Sequence, residues 1–292
     1  MKILSTTLEN KSLLEKYIQS GVNEVILALK GNTFSALKEW DEEEIKQITE
    51  TCHKDDVTVT VLMNRLYSES DIYEAQLTME RVLNYGVDGL MFADPGLLRY
   101  AKQKHLESYL IYRPETLMTC NEDALFWMQE GLKSAVIPCL LTKDEVIEIA
   151  HHVKDTTVII HGSTLMSVSK RKLLSAYQHV SKQDFIVSSK TLTLKEKQRE
   201  DHMPAYENAY SMMIYTDYIQ ESFEEMEDFM NAGVKYFEID TTFMKEEMIL
   251  DTILIYRDIL DRKDVLENIT KYKEKYKDLH LSDGYYGQKT VK

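Results

Sequence analysis

The chain has 292 residues, of which 43% are hydrophobic and 29% charged, with a net charge of −14. Three cysteines (Cys52, Cys120, Cys139) are too few for a disulfide framework, no apolar run reaches membrane-spanning length, and an acidic chain repels a phosphate backbone on average. The length suits one large domain without staples, and the N-terminal Met1-Lys2-Ile3-Leu4-Ser5-Thr6-Thr7 lacks the sustained apolar run of a signal peptide, so a cytoplasmic protein is expected.

Along the chain, eight short β-rich runs are predicted at 2–6, 24–29, 57–63, 89–93, 109–112, 135–138, 157–161 and 236–240. Helices are predicted between and after them, at 12–20, 42–53, 70–84, 95–104, 122–130, 143–153, 222–231 and 245–262. Asn121 before Glu122-Asp123, Thr142 before Lys143-Asp144-Glu145, and Ser70 followed by Asp71 supply N-terminal capping signals. Gly21, Gly86, Gly131 and Gly233 each follow a helix, where a left-handed residue ends it. Eight alternating strand and helix units predict a (β/α)₈ barrel of the TIM type, with a doubly wound open sheet as the alternative. No glycine-rich phosphate loop follows the first strand, which argues against a nucleotide-binding open sheet.

One interval is too long for a simple connection. About sixty residues separate the seventh strand from the helix at 222, and β-like alternation recurs at 185–194 and 203–215. This predicts a β-rich insertion at 178–218 on the C-terminal face of a barrel spanning 1–262, followed by a helix and tail at 263–292. Tyr206, Tyr210, Tyr215 and Tyr218 fall in or beside it. They could stack on bases, anchor a protein partner, or pack the insertion on the barrel. Lys170-Arg171-Lys172 is the best basic cluster of the chain, either a local patch for nucleic acid or an exposed helical turn.

The run from His161 to Ser175 opens this irregular region. It resembles the signature of the U32 peptidase family (collagenase-like proteases), roughly His-Gly-Ala-Leu-Cys-x-Ser-x-Ser-Gly-Arg-Cys-x-Leu-Ser. His161, Gly162, Ser167, Ser169, Arg171, Leu174 and Ser175 match it. Phe92-Ala93-Asp94-Pro95-Gly96, the run from Thr116 to Asn121, Tyr215-Thr216-Asp217-Tyr218, Ala232-Gly233-Val234, Ile255-Tyr256-Arg257 and the tail from Ser282 are similar to further family segments, in order. The departures fall at the chemistry. Leu165 and Lys172 replace the two signature cysteines that help hold an iron–sulfur cluster in many relatives, and Cys139 is the last cysteine. Cys139-Leu140 stands where the family has Arg-Glu, and Glu238-Ile239-Asp240-Thr241-Thr242 where it has Lys-Ile-Glu-Gly-Arg.

Residues at the C-terminal ends of barrel strands are expected to point into the mouth. This selects Asn64, Asp94, Arg113, Glu115, Cys139, His161, Glu238 and Asp240. Of these, His161, Asp240, Glu238, Asp94 and Cys139 are candidate catalytic groups, and Asn64, Arg113 and Glu115, with Arg171 of the signature, are candidate substrate-binding groups. Cys139 and His161 on adjacent strands could form a thiol–imidazole pair, oriented by Asp94 or Asp240, or be a half-buried cysteine and a strand-end histidine. Glu238 and Asp240 point to the same side of one strand, where a carboxylate pair could share a proton, bind a metal, or merely be solvated. No His-Glu-x-x-His occurs, His151-His152 reads as a surface pair, and no metal site is expected.

The resemblance implies two functions. One is a cluster-free accessory subunit in prephenate-linked hydroxylation of tRNA at the wobble uridine, with a longer, cysteine-bearing U32 paralogue or a second copy as partner and tRNA contacted only indirectly. The other is a peptidase acting through mouth residues. No cofactor is expected on either, and no membrane.

Overall fold

The computed structural model describes residues 2–115, 118–195 and 201–287. Strands β1 (Ile3–Thr7), β2 (Glu24–Ala28), β3 (Thr58–Met63), β4 (Gly89–Phe92), β5 (Leu110–Tyr112), β6 (Ser134–Ile137) and β7 (Thr156–Ser169) alternate with helices α1 (Leu14–Gln19), α2 (Glu42–His53), α3 (Ile72–Asn84), α4 (Pro95–Lys104), α5 (Asn121–Gln129) and α6 (Lys143–His152). An arm follows, made of α7 (Leu173–Ser181), β8 (Thr193–Lys195), β9 (His202–Glu207) and β10 (Met212–Glu221). Helix α8 (Met226–Ala232), strand β11 (Tyr236–Ile239), helices α9 (Glu246–Leu260) and α10 (Leu266–Lys275), and the short β12 (Leu281–Ser282) complete the chain.

Strands β1 to β7 pair in sequence order and in parallel, and β11 pairs in parallel with both β7 and β1. This closes an eight-stranded barrel and rules out the open sheet. The reason is visible in the strands: β2, β4, β5, β6 and β11 are buried along their whole length, as a sheet covered by helices on one side and filled on the other requires. Outward residues such as Leu27, Val61, Phe92 and Phe237 join the helices in one core, while Ile26, Ala28, Leu62, Met91, Ile111 and Val136 form a small apolar layer inside the barrel. Beneath that layer Glu24 accepts hydrogen bonds from Ser5 Oγ (2.6 Å) and Thr60 Oγ1 (2.7 Å).

Local chemistry fixes the helix ends. Asp41 with Glu44 and Thr142 with Glu145 form capping boxes at α2 and α6. Gly21, Gly86, Gly131 and Gly233 all take positive φ, as expected after helices. Two expected caps move. Cys120, not Asn121, is the N-cap of α5. Asp71 precedes α3 without capping it, because its carboxylate is engaged by Ser68, Ser70 and Arg65. Helix α8 starts at Met226 rather than 222, since Ser222 and Phe223 are drawn inward against Tyr256.

The seventh connection differs most from expectation. The signature run is strand as far as Ser169 and enters helix α7 at Leu173, not irregular chain: β7 is 14 residues long and its end pairs antiparallel with β10. Helix α7 then packs over β9 through Leu174, Ala205 and Met212. The tail beyond residue 287 and the start of the run from Thr116 to Asn121 lie outside the described residues.

Candidate functional site at the barrel mouth

Alternation along β5 turns Ile111 inward, Tyr112 outward and Arg113 inward. Arg113 is 3% exposed and meets Glu238, which β11 turns inward between Phe237 and Ile239. Arg113 Nη1 donates to both oxygens of Glu238, at 2.7 and 2.8 Å, and Nε donates to Glu115 Oε1 at 2.9 Å. Asn64, just past β3, donates to the same Glu115 oxygen (2.7 Å) and to Ser35 Oγ (3.1 Å), and accepts from Thr33 Oγ1 (2.8 Å). Asn64, Arg113, Glu115 and Glu238 therefore form one connected buried network.

Two small cavities, each of about 20 Å³, open above the network. Arg113 and Asp240 line both. Thr7, Ser35 and Lys38 line the first, and Cys139, Ser163, Thr164 and Leu165 the second. Burial pushes the Glu238 carboxyl above the ordinary carboxylate range, against the opposing pull of Arg113. Burial also pushes the Cys139 thiol up, with Glu115, Glu238 and Asp240 adding to the effect and Arg113 opposing it. A thiol held protonated is a poor nucleophile. Asp240 Oδ1 accepts from its own Thr242 N–H at 3.0 Å.

The arm closes one side of the mouth. Tyr215 Oη donates to Ser35 O at 2.6 Å, Ser211 Oγ to Phe34 O at 3.2 Å, and the Arg65 guanidinium stacks 4.2 Å from the Tyr210 ring centre. Of the readings open for the tyrosines, packing of the arm on the barrel accounts for Tyr210 and Tyr215.

His161 is not at the mouth. The register between β11 and β7 slips by one residue between the Glu238–Ile159 and Ile239–His161 pairs, a β-bulge that reverses the alternation. The imidazole points outward and is fully buried among Phe223, Tyr256 and Tyr272, while Cys139 lines the mouth. The expected thiol–imidazole pair is therefore not assembled. Tyr256 Oη donates its proton to Ile160 O (2.9 Å), so Nδ1 of His161 carries the hydrogen and donates to Tyr256 (3.3 Å), and Nε2 accepts from Tyr272 (3.0 Å). Both nitrogens suit a neutral ring, and burial lowers the His161 pKa from 6.5 to about 3.

A pH dependence of stability follows. A histidine whose folded pKa is depressed contributes stability that is complete above pH 6.5 and declines as pH falls toward 3, because the unfolded chain takes the proton first. Between pH 6.5 and 5 the loss is about 2 kcal/mol, at about 1.4 kcal/mol per pH unit. Urea midpoints at the two pH values check this: His161→Gln flattens the acid slope, whereas an unchanged slope contradicts the assignment.

Asp94 caps α4 instead of lining the mouth: Oδ1 accepts from Gly96 N–H (2.7 Å) and Oδ2 from Tyr67 N–H (2.9 Å). Arg171 is exposed on the arm. Sequence reasoning missed Thr33 and Ser35, which sit in a loop without periodicity, and the tyrosines around His161. Tyr256 was present in the Ile255-Tyr256-Arg257 match without a role attached.

The residues at hand do not fit the iron–sulfur cluster that the family resemblance implies. Leu165 lines a mouth cavity and Lys172 is exposed beside α7, where thiolates would be needed. Cys52 is buried on α2, Cys120 is exposed and Cys139 half-buried, and among the described residues no group of three or more His, Cys, Asp or Glu is placed to hold a metal ion. No helix among them is long and apolar enough to cross a membrane.

The chain is 24% identical over 266 residues to the tRNA hydroxylation protein P2 of Bacillus subtilis (strain 168), covering 89% of this chain and 85% of that protein. It is 29% identical over 108 residues to the tRNA hydroxylation protein P of Escherichia coli (strain K12), covering 36% of this chain and 23% of that protein. The solved U32 peptidase Mk0906 superposes with a TM-score of 0.53 at 13% identity, over 82% of this chain and 92% of that one, a likeness of fold alone. Since residues 9–292 also match the sequence profile of peptidase family U32, the chain belongs to that family.

Proposed function

We propose that this chain is an accessory U32 subunit, without an iron–sulfur cluster, in hydroxylation of tRNA at the wobble uridine. The observation that carries the reading is kinship with tRNA hydroxylation protein P2 along 85% of that protein, in a chain with Leu165 and Lys172 at the cluster positions. A longer, cysteine-bearing U32 protein then supplies the cluster and most contacts to tRNA. Prephenate-linked chemistry belongs to that partner or to the joint assembly. The mouth of this barrel contributes Arg113, Glu115, Asp240, Ser163 and Thr164 to binding or positioning, with Asn64 and Glu238 holding Arg113 and Glu115 in place.

The peptidase alternative keeps only its mouth carboxylates. Its thiol form lacks a base, because His161 is walled off by Tyr256 and Tyr272, and Glu238 is committed to Arg113.

Anaerobic co-expression with a longer U32 paralogue tests the proposal. The expected result is a co-purifying complex whose iron and sulfide reside in the paralogue, with this chain colourless when purified alone. A brown, iron-loaded isolated chain, or no complex on co-expression, would overturn it.

A further inference from the structure

The segment 33–39, between β2 and α2, borders the first mouth cavity, which its residues Ser35, Ala36 and Lys38 line. The chain is pinned together at its ends. Lys30 N–H donates to Trp40 O (2.9 Å), Trp40 N–H to Ala28 O (2.8 Å), and the Trp40 indole N–H to Leu8 O (2.9 Å). Between those ends no backbone group of 33–39 bonds to another backbone group among the described residues. Side chains hold the segment instead. Asn64 ties Thr33 and Ser35 on the barrel side, and from the arm Ser211 Oγ donates to Phe34 O and Tyr215 Oη to Ser35 O. A short loop with joined ends and few backbone bonds belongs to the parts of a fold that open first.

The space behind the segment is polar and incompletely paired. Arg113, Ser163 and Thr242 are only 3%, 8% and 4% exposed, yet Arg113 Nη2, Ser163 Oγ and Thr242 Oγ1 make no hydrogen bond to a described residue. Native proteins satisfy such groups with water or a ligand. These atoms are not sealed in protein, and their residues line the two cavities together with Asp240. Arg113 and Asp240 together suit a small polar molecule, with an acceptor oxygen for the guanidinium and a donor hydrogen for the carboxylate. Each cavity has only about 20 Å³, which is room for about one water molecule and for no larger solute. Donors are thus set out for a ligand that the closed mouth does not admit.

We infer that segment 33–39 is a flap that opens the barrel mouth, hinged at the paired Lys30 and Trp40 and latched shut by the Ser211 and Tyr215 hydroxyls of the arm. The arm then does more than pack on the barrel: it sets how often the mouth admits a small polar ligand. The inference rests on the mouth being a binding site, as proposed above. Its test reads opening alone, so a failure there is distinct from a failure of that reading, which tRNA hydroxylation reports.

Thiol labelling of the folded full chain is the test. Thr242→Cys places a thiol in the first cavity at a position whose hydroxyl makes no bond to a described residue, and the chain's own cysteines are standards, Cys120 exposed and Cys52 buried on α2. Labelling by N-ethylmaleimide is followed at each cysteine by mass spectrometry. The introduced thiol should react about a hundredfold or more slower than Cys120, and yet to completion, because the flap opens in the native state. Tyr215→Phe with Ser211→Ala removes both latches and keeps the residue 215 ring edge-on against Phe243. Each lost hydrogen bond is worth roughly fivefold, so labelling should accelerate about tenfold or more, with Cys52 and Cys120 unchanged. Should the double variant loosen the whole fold, seen as a matching rise at Cys52, Tyr215→Phe alone is read by the same ratio. An introduced thiol that never labels, one as reactive as Cys120 with the latches intact, or a ratio that latch removal leaves unchanged overturns the inference.

Discussion

Replacing Arg113 with methionine is expected to cost about 3–5 kcal/mol of stability at mildly alkaline pH, the typical cost of removing one partner of a buried ion pair. The change strands Glu238, which is fully buried and takes both of its strong hydrogen bonds from Arg113 Nη1. The sign with pH is set by burial. Glu238 already has a raised folded-state pKa, so its contribution is complete below the ordinary glutamate value and is lost as pH rises through the raised one. Without Arg113 that pKa rises further, and the deficit of the variant should shrink as pH falls. Arg113→Met combined with Glu238→Leu should recover more than half of the loss, since the fully buried Glu238 charge is then removed; Glu115 loses its cation but keeps its bond from Asn64. Urea unfolding of the two single variants and the double variant checks this. A single variant as stable as wild type, or a double variant no better than Arg113→Met, contradicts the network. Under the proposed function the double variant folds and yet fails to support tRNA hydroxylation, because Arg113 lines both mouth cavities.

Gly162→Ala should be comparably damaging for a different reason. Gly162 has φ of +133°, a region L side chains rarely adopt, and a Cβ there would lie 2.2 Å from the carbonyl oxygen of Asp240. The obstacle is backbone, and that backbone is held: Asp240 N–H donates to His161 O at 2.8 Å across the strands that close the barrel. Either β7 and β11 separate or the bulge is lost and His161 rotates out of its tyrosine pocket. A loss of about 3 kcal/mol or more is expected from the backbone strain and the displaced carbonyl together. Hydrogen exchange should show faster opening at β7 and β11 than in the remaining strands. Wild-type stability in Gly162→Ala would mean that the close approach is not needed.

These two sites show where the sequence was legible. The eight barrel strands and their helices could be read because each carries local signals, such as Thr142 before α6 and Gly233 after α8. The Arg113–Glu238 pair joins residues 125 apart, so its members could be nominated one by one but their partnership needed the closed barrel. His161 was misplaced because a single extra residue in β7 reverses the alternation; the glycine beside it was the only local hint. Helix α7 was missed because its cap is not local: Lys172 makes no side-chain cap bond, and Glu207, on another strand, serves its first turn. Asp94 was nominated for chemistry because it follows a strand, yet the Pro-Gly after it is also the pattern of a helix start, and that use wins.

The central claim is that this U32 chain supports tRNA hydroxylation without ligating a cluster of its own. Mass spectrometry of wobble uridines in cells lacking the chain tests it most directly. The hydroxylated nucleosides should be lost and then restored by the wild-type chain, but not by Arg113→Met with Glu238→Leu. A normal wobble-uridine profile in the deletion strain would contradict the account.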